Sequence, residues 1–192
     1  MALAILTPVN LARNAKWASD ILLYKSEYNS GIQVSQIPYM LVGAHSREKN
    51  FSQATEICDR HARAMKKLEQ LANRCGLAYE QLGRFDDAEQ SFLLAMNKQK
   101  FVAIAHTNLA RMYLHLGRRE DAQSHFKLAI ATESIPALRE YHKAYMLAML
   151  YPSDRNRLLD AKTHLEQALK FQPQLVSARR LLEQLNRILG SG

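Results

Sequence analysis

What this chain has little of narrows the reading first. Seven glycines and five prolines among 192 residues supply few turn-formers for a fold of many short strands, and they suit long helices. Two cysteines, Cys58 and Cys75, are too few for a disulfide framework or a four-cysteine zinc site. No stretch approaches the roughly 18 consecutive apolar residues of a membrane span. The opening Met-Ala-Leu-Ala-Ile-Leu is too short for the apolar core of a secretory leader. No phosphate-cradling glycine loop and no nucleophile elbow is present, and none of the seven histidines lies four residues from another, so no metal pair is indicated on one helix. No catalytic residue, metal or cofactor is expected of the chain as given.

One sign of charge is in excess. The formal net charge is +8, which raises nucleic acid, an anionic membrane surface or an acidic protein as partners. The cations are scattered, however, and interleaved with acids, as in Arg118-Arg119-Glu120-Asp121. The densest cluster runs from Arg60 to Lys67, and it is read as a solvated helix face. No series of aromatics alternates with the basic residues, so a stacking platform for nucleic acid is not indicated.

What is present is a repeat. Tyr79, Gly83, Ala88, Phe92 and Ala95 recur as Tyr113, Gly117, Ala122, Phe126 and Ala129, each displaced by 34 residues. A period of this length signals stacked supersecondary units. Each residue type has a packing task. Small residues at Gly76/Ala110, Ala88/Ala122 and Ala95/Ala129 let two antiparallel helices approach closely, while Tyr79/Tyr113 and Phe92/Phe126 fill the space between neighbours. Gly83 and Gly117 end the first helix of each pair, where a left-handed residue costs glycine least. Asp86–Asp87 and Glu120–Asp121 then place negative charge in the first turn of the second helix, which we prefer to reading them as catalytic carboxylate pairs.

These residues resemble the tetratricopeptide repeat (TPR) family. Leu109, Ala110, Tyr113, Gly117, Ala122, Phe126 and Ala129 match one unit, and Gly76, Tyr79, Gly83, Phe85, Ala88, Phe92 and Ala95 match another, which has Cys75 where leucine is usual. The same register extended upstream finds Leu41, Phe51 and Ala54, with Cys58 in the phenylalanine position. Downstream it finds Ala161, Leu165, Ala168 and Pro173. Ala122 and Ala161 stand 39 residues apart, so about five extra residues are expected, placed in a longer turn at 151–156. The resemblance implies an all-α, right-handed superhelical solenoid of about four helix hairpins. We expect an N-terminal segment and capping helix at 1–34, four units at 35–68, 69–102, 103–136 and 137–175, and a C-terminal capping helix and tail at 176–192.

In such an array the first helices of the hairpins line a concave groove. The register places Tyr39 and Gly43 of the first unit there, with Asn73, Leu77 and Glu80 of the second. Thr107, Asn108, Arg111 and His115 follow from the third, and Leu138, Tyr141, His142 and Tyr145 from the fourth. Amide, aromatic and cationic side chains suit an extended peptide, so the expected function is a non-catalytic scaffold for a peptide or protein ligand. TPR modules that grip chaperone C-terminal tails use two lysines, an arginine and two asparagines. Asn108 matches one asparagine, but Asn73 and Leu138, or Tyr39 and Ile104, stand where lysines are needed. A chaperone tail is therefore not the expected ligand.

Cys58 and Cys75 fall at core positions and are read as small buried hydrophobes, with a disulfide between adjacent helices as the other reading if the compartment is oxidising. Asn50-Phe51-Ser52 is a formal glycosylation sequon. Before the repeats, residues 7–31 suggest a capping helix with Trp17 packed inward. Arg13, Asn14, Trp17, Leu22 and Tyr24 also resemble the stretch by which polytopic protein O-mannosyltransferase-like membrane glycosyltransferases lead from their last span into a TPR array. That resemblance implies a periplasmic or lumenal setting and a missing upstream span; without it the chain reads as cytoplasmic.

Overall fold

The structure, a computed structural model, describes residues 37–190. The expectations for Trp17 and its neighbours therefore lie outside the described residues. Among these residues all the regular secondary structure is α-helical. It divides into two compact units, Met1–Leu94 and Ala95–Gly192. The first contains α1 (Ile37–Arg47), α2 (Phe51–Arg60), α3 (Ala62–Met65), α4 (Glu69–Gln81) and nearly all of α5 (Phe85–Ala95). The second contains α6 (Gln99–His115), α7 (Arg119–Thr132), α8 (Pro136–Leu150), α9 (Arg155–Phe171) and α10 (Val176–Gly190).

In the first unit α1 and α2 form a hairpin and α4 packs on both. Leu41, Val42, Ala54, Leu71, Ala72 and Phe92 are fully buried. The small residue at Gly76 is needed, because a β-carbon there would stand 2.5 Å from Phe92 Cε1. Cys58 of α2 and Cys75 of α4 are disulfide-bonded, with Cα atoms 5.7 Å apart. This corrects the reading of two separate thiols. Both positions are indeed buried, but the register that puts them in the core also sets them face to face on touching helices. The cationic stretch from Arg60 to Lys67 is not one helix face: α2 stops at Arg60, His61 leaves helical geometry, and the short α3 turns Met65 into the core.

The second unit holds two hairpins, α6–α7 and α8–α9, with α7 against α8 and α10 against α9. Ala110, Ala122 and Ala129 are buried completely, as close helix approach requires, and Phe126 fills the space between them. Ala144, Leu158, Ala161, Leu165, Ala168, Ala178 and Leu185 form the core of the last three helices.

Gly83 and Gly117 both have φ 74°. Arg84 N donates to Tyr79 O at 3.0 Å and Arg118 N to Tyr113 O at 2.8 Å, the bond that closes a Schellman cap over a left-handed glycine. The turn before α9 is built differently. Asp154 caps the helix, its Oδ1 accepting from Asn156 N and Arg157 N, so α9 begins at Arg155 and Arg155 and Asn156 are helical. The extra residues therefore do not make one long turn at 151–156. One carries the end of α8 a residue further along the register, one lengthens the turn, and the rest extend the start of α9, where Ala161 is the seventh residue while Ala122 is the fourth of α7. A capping aspartate makes that lengthened helix cheaper than an open loop.

Candidate functional site

The residues the sequence placed in the groove sit on α1, α4, α6 and α8. Within each unit two of these helices meet through a contact at the same register positions. In the first unit Arg74 of α4 lies over the Tyr39 ring of α1, its Cζ 3.7 Å from the centroid. Arg74 Nη2 donates to the Tyr39 hydroxyl at 2.8 Å and Nη1 to the Tyr39 carbonyl at 3.1 Å. In the second unit Thr107 Oγ1 of α6 lies 3.1 Å from His142 Nδ1 of α8. Tyr39 and Thr107 occupy one register position, and Arg74 and His142 the next position of the following repeat, so each contact spans 35 residues. The structure thus brings Tyr39 into contact with Arg74, which the sequence reading had left out, and Thr107 together with His142.

His142 is buried and has a second neighbour. Its Nε2 lies 3.5 Å from Glu133 Oε2, while Glu133 Oε1 accepts from Ile135 N at 2.9 Å. Burial pushes the His142 imidazole below its ordinary pKa, and Glu133 opposes that shift. Thr107 also donates to Ala103 O at 2.9 Å; its single proton is spent along its own helix, so it accepts from a protonated Nδ1 when that bond is made. Tyr141 stacks on Tyr145 with ring centroids 5.9 Å apart, and Tyr145 meets Phe126 edge-on. Burial raises the Tyr141 phenol above its usual pKa.

The remaining groove candidates stay on their helices. Asn73, Leu77 and Glu80 follow one face of α4, with Asn73 and Leu77 half-buried and Glu80 only 6% exposed. Asn108, Arg111 and His115 follow one face of α6, the first two half-buried and His115 exposed. Glu80 and His142 therefore have the least surface to offer a ligand.

Three further side-chain groupings were not anticipated. Arg84 stacks on Tyr79, and Arg118 on Tyr113, at 4.5 and 4.2 Å from the ring centroids, and each donates to the aspartate three residues on, Asp87 or Asp121. The signal was in the sequence, since Gly-Arg recurs with the repeat. Arg84 also bonds Asp59, which accepts from the Tyr79 hydroxyl at 2.8 Å; the Arg84 guanidinium holds the Asp59 carboxyl below its usual pKa. Glu140 of α8 bridges Lys143 and His164 of α9. Finally, His106 Nδ1 and His125 Nδ1 lie 2.9 Å apart on α6 and α7, a pairing across helices that spacing along one helix does not reveal. Among the described residues no group of three or more metal-ligating side chains gathers, and no helix is long and apolar enough to cross a membrane.

The histidine pair has a measurable consequence. Burial, reinforced by His125, pushes His106 down to about 4, from an ordinary value of about 6.5. Below about pH 6.5 the unfolded chain takes up a proton that the folded unit refuses. The contribution is therefore complete above that pH and is lost as pH falls from about 6.5 to about 4. The ring is partly solvated, so the expected loss is about 1–2 kcal/mol. His61 and His142, also held down by burial, act in the same direction. In chemical denaturation across this window, His106→Gln is expected to flatten part of the acid limb; an unchanged slope would show that the pair titrates normally.

Comparison with known proteins agrees with these elements. Tetratricopeptide-repeat family models match residues 69–97 and 105–140. No curated protein matches the chain. Among solved structures, BtubC (BKLC) from P. vanneervenii is 19% identical with a TM-score of 0.63, covering 92% of this chain and 80% of that one. The first TPR of Spaghetti (RPAP3), bound to the HSP90 peptide SRMEEVD, is 21% identical with a TM-score of 0.43, covering 64% of this chain and 93% of that one. A TPR repeats protein from Bacteroides fragilis is 15% identical with a TM-score of 0.41, covering 93% and 95%. The fold is all-α and built from tetratricopeptide-type helix hairpins.

Proposed function

We propose that this chain, two segments of which match the tetratricopeptide repeat, is a non-catalytic scaffold that binds a peptide or protein segment along the first helices of its hairpins. The observation that carries the reading is the row Asn108, Arg111 and His115 on one face of α6, with Asn108 and Arg111 half-buried and His115 exposed. An amide and a guanidinium offer the donors that an extended backbone and its carboxylates require. In the second unit Tyr141 and Tyr145 of α8 extend the candidate surface; Tyr39, Asn73 and Leu77 are the candidates on the first helices of the first unit, taken by itself. The test is fluorescence anisotropy with a labelled peptide library and the double variant Asn108→Ala, Arg111→Ala. A loss of affinity of about tenfold or more is expected from removing a half-buried charged donor and its neighbour. Undiminished binding would move the site off α6.

A second reading places the module in an oxidising compartment, as the periplasmic or lumenal tail of a membrane glycosyltransferase or similar assembly that recruits substrate or partner. The Cys58–Cys75 bridge favours the compartment, because such bonds persist where thiols are not kept reduced. The glycosyltransferase part rests on residues 13–24, outside the described region. Alkylating the protein inside its native cells before lysis is expected to find the pair bridged; two modified thiols would end this reading.

A further inference from the structure

Where an asparagine precedes a helix, its side-chain oxygen ordinarily accepts from a backbone N–H of the first turn. Asn50 stands at that position before α2 and makes no such bond. Its amide is used otherwise, Nδ2 donating to Glu48 Oε2 at 3.1 Å. By contrast, Asp154 caps α9 through two backbone bonds. Arg47, Glu48, Lys49 and Asn50 are exposed in succession, and Lys49 takes the left-handed φ of 60° in this turn. A bulky group on Asn50 would therefore project from a turn that is already solvated.

Asn50-Phe51-Ser52 is the sole Asn-X-Ser/Thr triplet in the 192 residues. Its middle residue is not proline, as acceptance of an N-linked glycan requires. Ser52 is exposed as well and lies in the first turn of α2. The leading N–H groups of a helix have no acceptor within it. With no side-chain cap from Asn50, this turn opens at little cost and offers the triplet as extended chain. The compartment agrees with the motif. Acceptor asparagines belong to surface loops of secreted chains, and the Cys58–Cys75 bridge of the same unit favours an oxidising setting.

We infer that Asn50 is an N-glycosylation site, its amide the acceptor for an oligosaccharide carried on a lipid diphosphate. The inference rests on the oxidising-compartment reading and adds a covalent modification to it. Asn50 Nδ2 bonds to the anomeric carbon of the sugar, and the bond from that carbon to the diphosphate oxygen breaks. One amide proton passes to a base of the transferase, the lipid diphosphate leaves with the bonding pair, and nothing is oxidised or reduced. An amide nitrogen shares its lone pair with the carbonyl and is a poor nucleophile, so the transferase must grip the acceptor amide. The solvent-exposed bond to Glu48 is readily exchanged for that grip.

The experiment uses the full chain from its native cells. Thiols are alkylated before lysis; the protein is then reduced, alkylated with a heavier reagent and cut with an arginine-specific protease. Cleavage after Arg47 and Arg60 releases residues 48–60, one peptide that contains both Asn50 and Cys58. The expected peptide is heavier by an oligosaccharide, whose enzymatic release leaves aspartate at position 50, and Cys58 carries the heavier reagent. An unglycosylated peptide with Cys58 bridged overturns the inference and keeps the compartment reading. An unglycosylated peptide with Cys58 alkylated before lysis overturns both. Ser52→Ala, produced in the same cells, is expected to lose the glycan completely, and Ser52→Thr to keep it. The heavier label on Cys58 reports in each variant that the first unit has folded and bridged. A glycan retained by Ser52→Ala in that state overturns the inference as well.

Discussion

Breaking the Cys58–Cys75 bridge is expected to lower the stability of the first unit by about 3 kcal/mol and to leave the second unit's transition where it was. The two cysteines are 17 residues apart, and the loop they close contains the end of α2, all of α3 and the start of α4. A cross-link of that span removes chain entropy chiefly from the unfolded state. The loss matters here because α3 has only four residues and contributes little cohesion of its own. Both sulfurs lie in side chains with no solvent exposure, so a reductant reaches them only when the unit opens. The measurement is segment-resolved hydrogen exchange with and without reductant, supported by the double variant Cys58→Ala, Cys75→Ala. Faster exchange is expected over α1, α2 and α4, with α6 to α10 unchanged. Equal exchange in the first unit would show that the bridge adds no stability, and acceleration in both units would show that they unfold together.

Truncating Phe126 to alanine is expected to cost the second unit about 3–5 kcal/mol. The ring is 1% exposed and its edge contact with Tyr145 ties α7 to α8. Ala122 and Ala129, one turn to either side, are already the smallest side chains that allow the helices to touch. They have no atoms with which to fill the cavity, so relaxation is limited and the cost falls in the upper part of the usual range. A domain's entire stability is about 5–15 kcal/mol, so the variant should unfold at markedly lower denaturant. Phe126→Leu keeps most of the volume and is expected to cost about 1–1.5 kcal/mol. A loss under about 1 kcal/mol for the alanine variant would mean that the hairpins slide together, and the packing account of the repeat would fail.

The features legible in the sequence are those whose physics is local or periodic. Gly83 and Gly117 were recognisable because only a left-handed residue ends those helices in so short a turn, and Ala88, Ala95, Ala122 and Ala129 because two helices touch only at small residues. The disulfide was not legible as a preference, since the same burial that marks Cys58 and Cys75 as core residues is equally satisfied by two thiols. The distribution of the extra residues near 151–156 was misplaced because Asp154, a strong cap, was read as loop. His106 and His125 meet across a hairpin, and a spacing rule written for one helix cannot see such a pair. Arg74 went unnoticed because its contact with Tyr39 joins two helices, and a register read along one helix does not reveal it. The candidate binding residues divide similarly: their helix faces follow from the register, whereas the burial of Glu80 and His142 follows from packing.

The rung that joins a residue to the one 35 positions ahead has a consequence for how such chains change over time. The scaffold positions are generic, and an alanine, glycine or phenylalanine fits beside any copy of itself. The rung's two halves belong to successive repeats, Tyr39 with Arg74 and Thr107 with His142. Each is matched to its own sequel and to no other. Duplicating or exchanging a repeat would part Cys58 from Cys75 and leave an arginine facing a threonine, or a tyrosine facing an imidazole. The order of the hairpins along the chain is written into these junctions.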